Sequence, residues 1–458
     1  MGEEKQRVAV LTLGCKVNHY DSALLRQRLV DSGFIIADKK DKADAYIINA
    51  CTVTARSDFQ ARQLARRCKR KSPDSPVLVV GCYAQAYPRS CGSEKAVDAV
   101  VGNHDRSSIP GIVAHLLNTD MKDNKDLFAG GKGPAKPDFG DTLPEFERKR
   151  PYLKVQDGCD SSCAYCAVPR ARGRAASLPP DEVLKRVEQL VQKGYREIVL
   201  AGVHLGSYGR DLYPPASLAV LIDRLESQGA CKRLRLSSLE PQEIDDELLS
   251  VLAGSKSVCH HLHLPLQSGD DKVLREARRP YTSSDFSRIV RQVVRFWPDV
   301  AIGLDLIAGL PMESDDAYKR TFELVESLPV AYLHVFPFSP RPGTGAFDIR
   351  DRPPQRIGTE RARQLRELGS RKKRNFLLEA MKRSPVYEVL VESVDQAGHC
   401  RGRSRNYISF SFPGNSSIIG TVVPVCAEAL EDNGLLGRPL DSCYSKGTGQ
   451  NSNDWKKD

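Results

Sequence analysis

The sequence predicts an α/β protein in three parts: an N-terminal parallel α/β domain, a central full or partial (β/α) barrel, and a small C-terminal β-barrel domain. Three observations predict it. Strand-like and helix-like segments alternate over roughly the first hundred residues and again after a glycine- and proline-rich break. Near the end they give way to β-branched and aromatic runs. The expected boundaries are 1–116 for the first domain, 117–150 for a linker and 151–383 for the central domain with a basic C-terminal helix. The β domain then takes 384–440 and a polar tail 441–458.

In chain order, Arg7 to Leu13 reads as a strand and Ala23 to Asp31 as a helix ending at Gly33. Ala45 to Ile48 is a strand, Arg56 to Lys69 a helix and Val77 to Val80 a strand. Cysteines stand just past each strand, at Cys15, Cys51 and Cys82. In a parallel sheet the carboxyl ends of strands share one edge, where ligands bind. From Leu117 to Arg150 the chain turns to Gly130, Gly131, Gly133, Pro134, Pro137 and Pro144 among charges, which marks the linker. Beyond it, Asp181 to Lys193 reads as a helix. Glu197 to Ala201, Arg233 to Ser237, Cys259 to Leu264, Ala301 to Ile307 and Tyr332 to Phe336 read as strands, and about 200 residues suit a barrel with its chemistry at the strands' carboxyl ends. A basic helical stretch, Thr359 to Lys382, precedes strands at Tyr387 to Val394, Tyr407 to Phe412 and Ile418 to Val425.

A chain of 458 residues is long enough to enclose a cofactor without disulfide staples. Apolar residues at 40% and charged residues at 28%, with no stretch near the roughly 20 apolar residues a bilayer requires, exclude membrane residence. Val8 to Leu13 is too short for a signal peptide, so the expected location is cytoplasmic. The formal charge of +10 favours polyanions such as RNA. Thirteen cysteines, an odd number without an export signal, argue for reduced thiolates able to ligate soft metals.

The segment Gly158-Cys159-Asp160-Ser161-Ser162-Cys163-Ala164-Tyr165-Cys166 has the spacing C-x₃-C-x₂-C. Three thiolates leave one iron of a four-iron cluster open to an external amino and carboxylate pair. If that ligand is S-adenosylmethionine, an electron passed into its sulfonium yields a carbon radical. A structural zinc site would need a fourth ligand, and no histidine follows locally. Cys15, Cys51 and Cys82 form a second three-ligand set, or else are buried free cysteines; Cys68, in a helix, and Cys91, in a loop, are left as nonligands. Tyr165 either lies against the cofactor's adenine or packs as an ordinary aromatic. Gly202, Gly206 and Gly209 follow a strand and either permit close approach of the cofactor's aminoacyl end or form a tight loop. Asp305, at the end of an apolar strand, binds a cofactor hydroxyl or caps a turn. His261 and His263 share a strand face opposite His260 with no comparable ligand set around them, which makes them core or substrate-pocket residues. The run Arg361 to Arg374 either touches RNA or is a solvated helix face. No side chain is assigned as a catalytic acid or base.

Together Leu11-Thr-Leu-Gly-Cys-Lys-Val-Asn-His-Tyr-Asp-Ser22, Ile48-Asn-Ala-Cys-Thr-Val-Thr54, Val80-Gly-Cys-Tyr83 and the Cys159 motif resemble the radical S-adenosylmethionine methylthiotransferases. The likeness continues through Leu236-Ser-Ser-Leu-Glu-Pro241, His263-Leu-Pro-Leu-Gln-Ser-Gly269 and Phe338-Ser-Pro-Arg-Pro-Gly-Thr344. The branch it looks like modifies threonylcarbamoyladenosine beside the tRNA anticodon. The resemblance implies a radical-enzyme barrel in which Cys159, Cys163 and Cys166 hold a radical-generating 4Fe-4S cluster. It implies an auxiliary 4Fe-4S cluster on Cys15, Cys51 and Cys82, and cofactor contacts from Tyr165, Gly202, Gly206, Ser238, Glu240 and Asp305. It further implies S-adenosylmethionine as both radical source and methyl donor, an electron donor such as a flavodoxin or ferredoxin, a sulfur supply, and a C-terminal RNA-binding module. The expected reaction places a methylthio group on C2 of N6-threonylcarbamoyladenosine at tRNA position 37. The alternatives are isopentenyladenosine in tRNA, a ribosomal-protein aspartate, or a nonenzymatic iron-sulfur RNA-binding or scaffold role. This chain departs from the family's pattern in having Ala50 before Cys51, and Gly309-Leu-Pro-Met-Glu313 where a glycine-rich stretch is common.

Overall fold

A computed structural model describes residues 5–38, 40–118 and 137–440. The N-terminal domain is a five-stranded, wholly parallel sheet. Its strand order is Ile35–Ile36, Arg7–Thr12, Ala45–Ala50, Val77–Gly81 and Ala99–Val101. The central strands are buried on both faces, as their near-continuous aliphatic sequence requires. The exception is Asn49, whose buried amide donates to the Asn18 carbonyl and to Ser22 Oγ. The first helix spans Lys16–Asp31, not Ala23 to Asp31 as expected, and Cys15 is its N-cap. Its first turns escape an apolar-periodicity search because they bury Asn18, Asp21 and Ser22 beside Val17 and Tyr20. Cys91 lies in the short helix Pro88–Gly92 instead of the expected loop, while Cys68 lies in helix Ala55–Lys71 as expected.

Six parallel strands follow in chain order as two sheets, Tyr152–Lys154, Ile198–Ala201 and Leu234–Leu236, then His261–Gln267, Ala301–Ala308 and Tyr332–Pro337. A single bridge between Leu234 and Val258 joins them, so the barrel is partial. Its core runs through Leu200, Leu236, Leu264 and Leu304 to the buried faces of the surrounding helices. Asp305 falls inside its strand and not at its end, because Leu306 to Ala308 continue the pairing with Val335 to Pro337.

The basic helix spans Gln355–Arg383. Arg361 pairs with Glu313 at 2.6 Å, Arg366 donates to the Val335 carbonyl and Lys372 to the Glu326 and Leu328 carbonyls. Much of the charge in Arg361 to Arg374 therefore ties the helix to the barrel. After it, five strands close into a small barrel in the order Val386–Val394, His399–Ser404, Ser409–Pro413, Gly434–Pro439 and Val422–Glu431. Two of these, His399–Ser404 and Gly434–Pro439, are too polar or glycine-rich to read as strands. Tyr407, expected in one, sits at φ 65° in the turn before Ser409.

Part of the expected linker is a packed strap. Tyr20 Oη and Arg186 both donate to the Phe139 carbonyl, and Arg28 pairs with Asp138 at 2.7 Å. Helix Ile109–Asn118 also crosses the expected boundary. The glycine-rich stretch at 130–134 and the tail 441–458 lie outside the described residues. Among the described residues no helix is long and apolar enough to cross a membrane.

Candidate cofactor cavity

Both cysteine trios open onto one cavity of about 520 Å³, at the meeting of the N-terminal sheet's carboxyl edge and the mouth of the partial barrel. Cys15, Cys51, Cys82, Cys159, Cys163 and Cys166 all line it, with Tyr165, Gly202, Ser238, Glu240 and Asp305. All twelve described cysteines are free thiols. Gly206 is absent from the lining. A Cβ there would stand 2.0 Å from Glu243 Oε2, so its role is to admit that carboxylate.

Local structure explains how the first trio meets. Cys15 caps a helix, Cys51 follows a strand, and Cys82 opens a helix directly after Gly81. Gly14 holds φ +107°, and a Cβ on it would come within 2.3 Å of Cys51 Cβ. Burial and the neighbouring Cys15 and Cys82 push the Cys51 thiol up to about 12. In the second trio Gly158 at φ +71° turns the chain into the motif, where any Cβ would strike the Arg174 carbonyl.

The sulfurs face donors. The backbone N–H groups of Val53, Ser161 and Val168 point at Cys51, Cys159 and Cys166 Sγ, each at 3.4 Å. Arg279 Nη1 lies 3.1 Å from Cys163 Sγ, and Asn103 Nδ2 lies 3.6 Å from Cys82 Sγ. His204 Nδ1 is 3.5 Å from Cys159 Sγ, and its Nε2 is 2.8 Å from Glu243. Burial raises Cys159, but His204 and Ser161 outweigh it and hold the thiol below its ordinary value. Burial likewise disfavours charge on His204, yet Cys159 and Glu243 push it up to about 9. Burial holds Cys166 up at about 12. Two sets of three thiols ringed by N–H donors suit anionic sulfur-ligated metal clusters, and binding one would have to displace the thiol protons.

A buried ion network joins the trios. Asp21 receives Arg106, Lys154 and Arg172 at 2.8, 2.6 and 2.8 Å, and Asp157 receives Lys154 and Arg172 at 2.8 and 2.9 Å. Arg172 also donates to Asn18 Oδ1. Its charges hold Asp157 far below the carboxylate range against the burial that would raise it.

Contrary to expectation, the histidines do have a ligand-like neighbourhood. His263, Asp305 and His334 bring their ring nitrogens and carboxylate within 4.8 Å of one another, with His263 Nε2 2.9 Å from Asp305. His334 sits on the next strand, in register with Asp305, and no local spacing announces it. Arg279, His204 and Arg172 also escaped sequence reasoning, and Lys16 figured there only inside the motif Leu11 to Ser22. Of the first three only His204, between glycines after a strand, left a signal there.

Comparison with known proteins agrees with this division. Residues 7–102 match the Uncharacterized protein family UPF0004, and residues 153–325 match the Radical SAM superfamily. The threonylcarbamoyladenosine tRNA methylthiotransferase MtaB of Aquifex aeolicus is 36% identical over 81% of this chain and 89% of its own length. The protein of the same name in Bacillus subtilis is 35% identical over 91% and 93%. The radical S-adenosylmethionine methyltransferase TsrM of Kitasatospora setae, solved with cobalamin and a 4Fe-4S cluster, superposes with a TM-score of 0.56 at 15% identity, covering 75% of this chain and 77% of that one. The likeness is one of fold. With a third of its residues shared with these relatives over most of both lengths, the chain belongs to the threonylcarbamoyladenosine tRNA methylthiotransferase family.

Proposed function

We propose that this chain is a radical S-adenosylmethionine enzyme that places a methylthio group on C2 of N6-threonylcarbamoyladenosine beside the tRNA anticodon. The observation that carries this is the convergence of both cysteine trios on one cavity. Cys159, Cys163 and Cys166 would hold one 4Fe-4S cluster and Cys15, Cys51 and Cys82 another. With three protein ligands, such a cluster would supply one-electron chemistry to bound S-adenosylmethionine, of the kind needed where adenine C2 offers no useful acid-base chemistry.

The chain's own groups would do the rest. Arg279 and His204 donate to the sulfurs of Cys163 and Cys159, and the His204 contact helps to hold the Cys159 thiol below its ordinary value. Gly202 lies against Gln156, whose side chain accepts from the His204 backbone, so the loop approaches the cavity closely without a side chain of its own. Tyr165, Ser238 and Glu240 line the volume left for S-adenosylmethionine, and Glu240 is held by Arg279. Residues of both domains line the cavity, which would limit the access of water to chemistry carried out there. An electron donor of the flavodoxin or ferredoxin type and a sulfur supply complete the proposed system.

Two measurements test it. Anaerobically reconstituted protein should carry about eight irons and eight sulfides per chain, whereas about four would mean a single cluster. Nucleoside mass spectrometry of tRNA from cells lacking and regaining the gene should show methylthio-threonylcarbamoyladenosine disappearing and returning. Loss of methylthio groups from isopentenyladenosine or from a ribosomal protein instead would reject the substrate.

A further inference from the structure

A second, smaller cavity of about 170 Å³ adjoins the first, and the two share Lys16, Tyr152, Ser238 and Asp305. It lies between the barrel strands and the C-terminal domain, which contributes Tyr407. It is below the roughly 300 Å³ of ordinary small-molecule sites, so it would take a substituent and not a whole nucleoside. Its wall is unusual for a buried space: Val199 is its one aliphatic residue.

Charge is out of balance there. Lys16, Arg150 and Arg235 face the cavity against one carboxylate, Asp305. Behind the wall Glu197 answers Arg235 at 2.6 Å and Arg150 at 3.7 Å, and Glu392 also engages Arg150. Asp305 is engaged by His263. Lys16 makes no ion pair or side-chain hydrogen bond among the described residues. A half-buried ammonium with no direct ion-pair partner, on a cavity where cations outnumber carboxylates, is a site for an anion.

A second observation is independent of charge. His261, 3% exposed, lines the cavity, and its Nδ1 is buried with no hydrogen-bond partner among the described residues. Its Nε2 lies 2.8 Å from Tyr332 Oη, which is 3.2 Å from His263 Nδ1. A carboxylate only accepts, so His263 Nε2 carries a proton toward Asp305. With His263 neutral, Tyr332 donates to His263 Nδ1 and accepts from His261 Nε2. His261 Nδ1 is then a bare acceptor. A doubly protonated His263 reverses the relay and makes Nδ1 a donor, and a hydroxyl partner satisfies either state.

We propose that this cavity is the specificity subsite for the threonylcarbamoyl substituent, with Lys16, backed by Arg150, binding its carboxylate and His261 Nδ1 binding its hydroxyl. The assignment rests on the substrate proposed above and adds how it is told apart. An isopentenyl group has neither a charge nor a hydroxyl, and would strand these buried groups. A site built for a substrate's polar groups rejects an analogue lacking them by up to about 10⁴-fold.

The test uses reconstituted holoenzyme and anticodon stem-loop RNAs carrying threonylcarbamoyladenosine, its neutral carboxamide, or the 2-aminobutyrate analogue without the hydroxyl. Affinity is measured without reductant and methylthio transfer with it. The unaltered protein should prefer the acid over the amide by at least about tenfold, as expected for loss of one charge-assisted contact. Lys16→Met should remove that acid-over-amide ratio, and His261→Phe the ratio between threonyl and 2-aminobutyryl RNA. Because each readout is a ratio within one protein, partial loss of clusters does not imitate it. Equal handling of acid and amide by the unaltered protein, or a ratio that survives Lys16→Met, overturns the subsite while the substrate stands. Methylthiolation of isopentenyladenosine RNA with none on threonylcarbamoyl RNA overturns the substrate and the subsite together.

Discussion

At the scale of single residues, the cavity depends on glycines as much as on cysteines. Gly14 holds a backbone conformation that costs other residues about 1–3 kcal/mol, and its Cα sits against Cys51. Gly14→Ala adds a collision with Cys51 Cβ to that strain. Iron content after reconstitution should fall by about half, as the first trio fails and the second persists. Gly33→Ala is the control: φ there is +92° with nothing within 4 Å of a new Cβ, so it meets the strain without the collision and should keep its iron. Full iron in Gly14→Ala would show that the close approach is dispensable. The six cysteines could be read from the sequence because their spacing and strand-end positions follow from local pattern. Arg279 and Lys16 could not, because what brings them to the cavity is strand order and a helix start hidden by inward polar residues.

Among the secondary-structure elements, the junction of the barrel with the C-terminal domain turns on one carboxylate. Glu197, immediately before strand Ile198–Ala201, receives Arg233 at 2.9 Å and Arg235 at 2.6 Å. These arginines also donate to the Glu388, Arg403, Ser404 and Arg405 carbonyls of the small barrel. Glu197→Gln keeps the shape but leaves two buried guanidiniums short of a counter-charge, a loss of about 3–5 kcal/mol. Burial alone would raise Glu197, but Arg235, Arg233 and Arg150 bring it down to about 2. A carboxylate depressed by folding stabilises fully above its unfolded value of about 4.5, and that contribution drains away as pH falls toward 2. Urea titrations should therefore show the wild type and Glu197→Gln far apart at pH 7 and converging below pH 4.5; a gap independent of pH would exclude this origin. The barrel strands showed in the sequence as apolar runs. His399–Ser404 and Gly434–Pro439 did not, because they are strands by closure of a barrel and not by side-chain pattern.

Across the whole molecule, the two domains are clamped from residues that flank the thiols. Asp21, six residues past Cys15, meets Lys154 and Arg172 of the central domain, and Asp157, two before Cys159, meets the same pair. On the other side Arg341 engages Asp58 and donates to Thr52, the neighbour of Cys51, at 2.7 Å. Such a clamp sets how far one trio stands from the other. Asp21→Asn is nearly isosteric, yet it leaves Arg106, Lys154 and Arg172 to share Asp157. Breaking a buried network in this way costs about 3–5 kcal/mol. In holoenzyme, either trio can still hold metal, because no thiol has been removed. What should suffer is their mutual placement: dipolar coupling between the two reduced clusters should weaken in electron paramagnetic resonance. The ratio of methylthio product to cleaved S-adenosylmethionine should fall as well, because in the proposed function radical formation needs one trio and transfer needs both. A merely destabilised protein would lose both activities in proportion to its unfolded fraction and keep the ratio. An unchanged coupling with an unchanged ratio would reduce the network to a stabilising device with no part in positioning.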